Sequence, residues 1–183
     1  NAHGANWSSN DYNDDLIWMV ISCCRAYQLT HKADYLNAAK TNFQIVYNRG
    51  YDEVLGGGVY WSTEKGSKNA CINGPMTIAA CYLSQLCDGA EGAAYLEYAK
   101  SIYAWERANL FNTETGEVYD NLAVDGTLGT TVFTYNLGTF IGAGTMLYQL
   151  TGSLTYRRDA KLAADYTVQV KYENNCICDE SGG

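Results

Sequence analysis

The feature that most constrains this chain is a threefold internal echo at a spacing of roughly 60 residues. Ala33-Asp34-Tyr35-Leu36-Asn37-Ala38-Ala39-Lys40 aligns with Ala93-Ala94-Tyr95-Leu96-Glu97-Tyr98-Ala99-Lys100 and with Leu154-Thr155-Tyr156-Arg157-Arg158-Asp159-Ala160-Lys161. The residues ahead of these blocks correspond too. Tyr27-Gln28-Leu29-Thr30 matches Tyr148-Gln149-Leu150-Thr151, with Leu83-Ser84-Gln85-Leu86 at the middle position. A unit of this length cannot bury an apolar face by itself, so its copies must stack on one another.

Each unit reads as a helix, a short turn, a second helix and a loop rich in Gly and aromatic residues. The spacing predicts first helices over 13–29, 73–87 and 134–150, and second helices over 33–48, 93–109 and 154–171. Ile17, Val20, Ile21 and Cys24 mark an apolar helix face. The first helices read as apolar nearly all round and the second as more polar, which predicts an inner layer covered by an outer one. Asn13 and Asp14 are candidate N-caps, and Gly152 is a stop for the fifth helix. The fold class is therefore all-α. Six such hairpins close an (α/α)6 toroid of about 360 residues. Residues 1–183 supply about half, three helical hairpins, and the missing half of the toroid is expected elsewhere. The chain stops at Glu180-Ser181-Gly182-Gly183 without a closing helix.

Composition excludes some partners. A net charge of −8 with scattered Lys and Arg argues against nucleic acid. No stretch approaches the ~20 apolar residues of a transmembrane helix. The opening Asn1-Ala2-His3-Gly4 does not read as a signal peptide, so an export signal would lie outside this chain. The seven cysteines lack zinc-site spacing, and no metal or other cofactor is implied. Cys23, Cys71 and Cys81 read as small helix hydrophobes, whereas Cys176 and Cys178 allow a disulfide. Asn6-Trp7-Ser8 is a glycosylation sequon. Most of the 16 tyrosines and four tryptophans are expected in the helix-packing core, with some left over. Aromatic faces pack on pyranose C–H faces, so the surplus suits a sugar site.

The sharpest local feature is Asn13-Asp14-Asp15-Leu16-Ile17-Trp18, two acids opening an inner helix. Helix capping and the helix dipole explain one acid readily. A second, about 100° further round the helix, also fits a catalytic pair. Retaining glycosidases set two carboxyls about 5–5.5 Å apart, one attacking the anomeric carbon and the other exchanging the proton. Inner-helix entrances in an α/α array surround one cavity. They would bring to it Trp7, Tyr12 and Asn13 at the first helix, Trp61, Lys68, Asn69 and Asn73 before the second, and Asp120, Asn121, Tyr135 and Asn136 before the third, as candidate substrate-binding residues. Asparagine amides pair with sugar hydroxyls, and Tyr or Trp rings stack.

The chain resembles glycoside hydrolase family 76, the endo-α-1,6-mannanase group. The resemblance rests on Tyr12-Asn13-Asp14-Asp15-Leu16-Ile17-Trp18, Gly56-Gly57-Gly58-Val59-Tyr60-Trp61, Lys68-Asn69-Ala70-Cys71-Ile72-Asn73-Gly74 and Thr134-Tyr135-Asn136-Leu137-Gly138-Thr139-Phe140-Ile141-Gly142-Ala143. It implies an (α/α)6 catalytic domain, a secreted or cell-surface location, and α-1,6-linked mannan or manno-oligosaccharide as substrate. It further implies Asp14 as nucleophile, Asp15 as general acid/base, and Asp120 lining the cleft. Leu137 stands where the family usually has Gln, removing a potential sugar-binding amide, and Met19 stands where Trp is common. Two alternatives stay open: a cell-wall transglycosylase of the same family, and a noncatalytic glycan-binding helical-repeat protein. A sugar epimerase would need cavity histidines, and His3 and His31 are poorly placed for that.

Overall fold

The computed structural model describes residues 5–173 and 176–178. Among them, six long helices form three antiparallel hairpins, as the repeat predicts. They pair α1 (Asn13–Thr30) with α2 (Ala33–Gly50), α3 (Ala70–Leu86) with α4 (Gly89–Asn109), and α5 (Thr134–Thr151) with α6 (Leu154–Val170). The inner helices α1, α3 and α5 lie side by side, and each outer helix packs mainly on its own partner. Tight turns join the hairpins, and left-handed residues end two of the three inner helices. His31 (φ 54°) closes α1 and Gly152 (φ 73°) closes α5, each returning its N–H to a tyrosine carbonyl, Tyr27 and Tyr148 respectively.

The core is the seam between layers. Phe43, Tyr103, Phe140, Ile72, Met76, Leu83 and Leu110 are fully buried. Tyr103 and Phe140 stack at 5.0 Å, and Phe140 stacks on Phe111 at 4.4 Å, tying α4 and α5 to the loop between them. The inner helices also touch closely. A Cβ on Gly74 would stand 2.8 Å from Thr139 Oγ1, so only glycine lets α3 and α5 approach this far.

Three expectations are corrected. Of the inner helices only α3, with a neighbour on each side, is buried nearly all round. α1 leaves Trp18, Met19, Ser22 and Arg25 exposed on its outer flank. Neither Asn13 nor Asp14 caps α1. Tyr12 holds that place without a side-chain hydrogen bond, and the amide of Asn13 is spent on tertiary contacts. Finally, α3 begins at Ala70, so Asn73 lies within its first turns, and Tyr135 and Asn136 lie within α5.

The loops hold a small antiparallel sheet that the helical pattern does not announce. Its strands β1 (Ser67–Asn69), β2 (Asn121–Ala123) and β3 (Leu128–Gly129) run in the order β1-β2-β3. It ties the loop entering α3 to the loop entering α5. A second pair, β4 (Tyr172–Glu173) and β5 (Cys176–Ile177), follows α6. The seven cysteines are all free thiols, Cys176 and Cys178 included. No helix of the described residues is long and apolar enough to cross a membrane.

Candidate active site

The N-terminal ends of the three inner helices converge on a cleft of about 490 Å³. Its wall follows a rule of position. Asp14, Cys71 and Tyr135 are each the second residue of an inner helix, and all three line the cleft. Trp61, Ser67, Asn69, Asp120, Asn121 and Phe133 complete it from the loops and the sheet, and Trp18 from the next turn of α1. Three helix N-termini facing one space favour negative charge there.

Asp14 is partly buried, and its Oδ1 is shielded from solvent with no hydrogen-bond partner. Burial pushes its carboxyl above the ordinary aspartate range, a hydrogen bond from the Trp61 side chain opposes the rise, and the neighbouring Asp15 adds to it. Asp120 behaves alike: burial raises its pKa, and the amide of Asn136, donating at 3.2 Å, holds it back. Asp15 lies at the rim. It is exposed, accepts a 3.0 Å hydrogen bond from Asn10 Nδ2, and lines a larger cleft of about 710 Å³ with Trp7, Ser9, Leu16 and Met19. Trp18 borders both clefts.

The structure divides the asparagines foreseen as sugar ligands. Asn69 lines the cleft. Asn13 and Asn73 do not: both are fully buried, with their amides used to fasten backbone. Asn13 donates to Tyr60 O (2.8 Å) and accepts from Arg49 Nε (2.7 Å). Asn73 accepts from Val59 N–H (2.8 Å) and donates to Val59 O and Asn69 O. Their work is to hold the 50–61 loop against α1 and α3. Asn136 is buried as well and reaches the cleft only through Asp120. Leu137 is a core residue, so its difference from the family pattern alters packing rather than the cleft wall.

Of the aromatic candidates, Trp61 and Tyr135 line the 490 Å³ cleft and Trp7 the larger one. Tyr12 stands behind Trp61, ring centroids 5.0 Å apart. Lys68 is fully buried away from the cleft. His31 closes the opposite end of α1 from Asp14; His3 and the Asp179–Gly183 stretch lie outside the described residues. Sequence reasoning passed over Trp18, Ser67, Cys71 and Phe133 as site residues. Trp18 was accessible in principle, being four residues from Asp14 and three from Asp15, hence on their face of the helix. Among the described residues no group of three or more His, Cys, Asp or Glu is arranged to hold a metal ion.

Over 89% of its length the chain superposes on the GH76A α-1,6-mannanase from Salegentibacter sp. HEL1_6, with TM-score 0.82 and 39% identity, covering 48% of that chain. An inactive variant of that mannanase, with two consecutive aspartates replaced, is in complex with α-1,6-mannotriose. It gives a TM-score of 0.81 at 38% identity, over 87% of this chain and 47% of that one. The mannan endo-1,6-alpha-mannosidase DCW1 of Candida glabrata is 25% identical over 164 residues, 81% of this chain and 36% of that protein. The chain thus spans half or less of the length of these relatives. The model of Glycosyl hydrolase family 76 matches residues 1–182, and the chain belongs to that family.

Proposed function

We propose that this chain carries the catalytic half-site of a retaining endo-α-1,6-mannanase. The observation that carries the reading is Asp14-Asp15 at the mouth of an inner helix, one acid in each of two adjoining clefts lined by aromatic rings. It is the only pair of consecutive aspartates in the sequence, and consecutive aspartates are what the inactive Salegentibacter mannanase variant lacks.

The roles are taken as the family resemblance implies, and the surroundings of the two acids are compatible with them. Asp14 has the partly desolvated carboxyl with an unpartnered oxygen, which suits a nucleophile that attacks the anomeric carbon. Asp15, at the rim with the Asn10 amide on one oxygen, can exchange protons with solvent. In the first step Asp15 protonates the glycosidic oxygen, the C–O bond breaks, and Asp14 forms a glycosyl ester. In the second, Asp15 takes a proton from water, the water oxygen bonds to the anomeric carbon, and Asp14 leaves as carboxylate. Trp61, Tyr135, Phe133 and Trp18 provide faces for the sugar rings, and Asn69, Asp120 and Asn121 pair with hydroxyls. Trp7 extends the larger cleft, and Tyr12 backs Trp61. A polymeric mannan substrate places the protein outside the cell or at its surface.

The test is incubation of the complete polypeptide with unbranched α-1,6-mannan, with Asp14→Asn and Asp15→Asn variants in parallel, each checked for helicity. Release of manno-oligosaccharides by wild type, and its fall by 10³-fold or so in either variant, is the expected result. Products longer than the supplied chains, formed with acceptor sugars, would reassign the same intermediate to transglycosylation. Binding of mannan with neither product would leave a glycan-binding protein.

A further inference from the structure

Lys68 is fully buried, yet it is not in the cleft. Its ammonium sits inside the loop that precedes β1, 3.1 Å from Asp52 O, 2.7 Å from Val54 O, 2.6 Å from Gly57 O and 2.9 Å from Asp52 Oδ1. The Tyr60 ring lies 4.5 Å below it. This is four oxygens and an aromatic face around one cation, the donor set that a desolvated monovalent ion would take. The loop is bent to make it. Leu55, Gly56, Gly57 and Gly58 all have positive φ, from 59° to 112°, a run that an L-residue such as Leu55 enters only under external hold. A buried charge is tolerated only when paired and fully hydrogen-bonded, and here the oxygens meet that condition.

The cage connects to the reaction through short links. Beyond the loop, Trp61 N–H donates to Ser67 O at 3.1 Å, and Trp61 O accepts from Asn13 N–H, the first residue of α1, at 2.8 Å. The Trp61 side chain in turn lines the same cleft as Asp14 and holds its carboxyl pKa down. Lys68 also pairs with Leu122 across β1 and β2, one residue from the cleft-lining Asn69–Asn121 pair. It grips the loop on one side and the sheet on the other, and Trp61 is strung between them.

We propose that Lys68 is a positioning residue: an internal cation whose carbonyl cage clamps the 52–58 loop and thereby fixes Trp61 against the Asp14 carboxyl. The catalytic consequence rests on the mannanase reading; the clamp itself does not. Removing the ammonium while keeping the cage should create a site for a small external cation.

The experiment uses the complete polypeptide with Lys68→Ala, and Lys68→Met as the side chain of similar length without charge. Each is assayed in ammonium, methylammonium or tetramethylammonium chloride at equal ionic strength. Two readouts are taken: kcat and KM for mannan, and hydrogen exchange of the 58–61 amides. In Lys68→Ala, kcat should fall about 10²-fold with KM changed less than threefold, a split that marks lost alignment rather than lost binding. Ammonium and methylammonium should restore kcat at least tenfold with saturation and re-protect the Tyr60 and Trp61 amides. Tetramethylammonium, too large and without N–H, should do neither, and Lys68→Met, whose side chain fills the cage, should not respond. Wild-type exchange and kcat in Lys68→Ala, or losses that small ammonium ions do not reverse, would overturn the clamp. If Lys68→Ala folds only in the presence of ammonium, the cation requirement is met directly. Absence of sugar release by wild type would sink the mannanase reading instead, and the exchange data would still decide the clamp.

Discussion

Gly58→Ala is the change for which the structure gives the sharpest expectation. Gly58 has φ +76°, and an added Cβ would stand 2.3, 2.5 and 2.7 Å from three ring atoms of Trp105. The ring has nowhere to go. It is 3% exposed, and its Nε1 donates to Leu55 O at 2.9 Å, in the same loop. Three costs add. Holding alanine in the left-handed region costs roughly 1–2 kcal/mol. Displacing a packed ring costs roughly 1–3 kcal/mol, and losing the Trp105 hydrogen bond about 1 kcal/mol. The sum is roughly 3–6 kcal/mol, a large part of an ordinary domain's stability of about 5–15 kcal/mol. Gly56→Ala is the internal control. Its φ is +79°, but nothing lies within 4 Å of the added Cβ, so only the conformational cost of about 1–2 kcal/mol applies. Urea unfolding followed by tryptophan fluorescence, on the complete polypeptide, compares the two. The difference should be about 2–4 kcal/mol against Gly58→Ala, the ring-packing and hydrogen-bond shares together. If both variants fall within 1 kcal/mol of each other, the claim that Trp105 holds this loop is wrong.

Trp61→Phe removes the hydrogen bond that lowers the Asp14 pKa while burial and Asp15 go on raising it. The acid limb of kcat/KM should therefore move to higher pH, and an unmoved limb would show that Asp14 ionisation does not set it. Glu106 is wholly buried with neither carboxyl oxygen hydrogen-bonded, and burial raises its pKa well above the ordinary glutamate value. The folded state then holds a proton that the unfolded state has released, so stability falls as pH rises between the unfolded and folded pKa values. Glu106→Gln should flatten that decline in urea midpoints measured from pH 4 upward, and an unchanged slope would refute the assignment. Asn13→Ala unpairs Tyr60 O and Arg49 Nε behind the first turn of α1. It should cost about 2–3 kcal/mol in the same unfolding assay and lower kcat through Asp14 next door.

Much of the architecture was readable in the chain because repetition is itself a packing statement. Three copies of one helix–turn–helix pattern, each with a more apolar first helix, admit few arrangements other than stacked hairpins in two layers. The Asp14-Asp15 pair was likewise legible, since both acids ride the start of one inner helix. What the sequence could not separate was function from support among residues of like chemistry. Asn13, Asn69 and Asn73 all read as sugar-binding amides. Only the fold shows that Asn69, ahead of the helix start, meets the cleft, while Asn13 and Asn73 are turned inward to pin the Val59–Tyr60 backbone. The reason is angular: successive helical residues are about 100° apart, so where the second residue of an inner helix meets the cleft, Asn13 as first residue and Asn73 as fourth turn away from it. A start at 73 rather than 70 leaves Cys71 outside the helix, which hides it as a cleft residue.

Lys68 is the converse case. Its pattern offered a polar loop residue for the cavity, because a cage of backbone carbonyls has no signature in side-chain identity. Local sequence determined the helices, their pairing and the acids at the cleft, all of which depend on periodicity along the chain. Tertiary structure decided which polar groups face substrate and which face each other, because that depends on where distant loops run when the hairpins close on them.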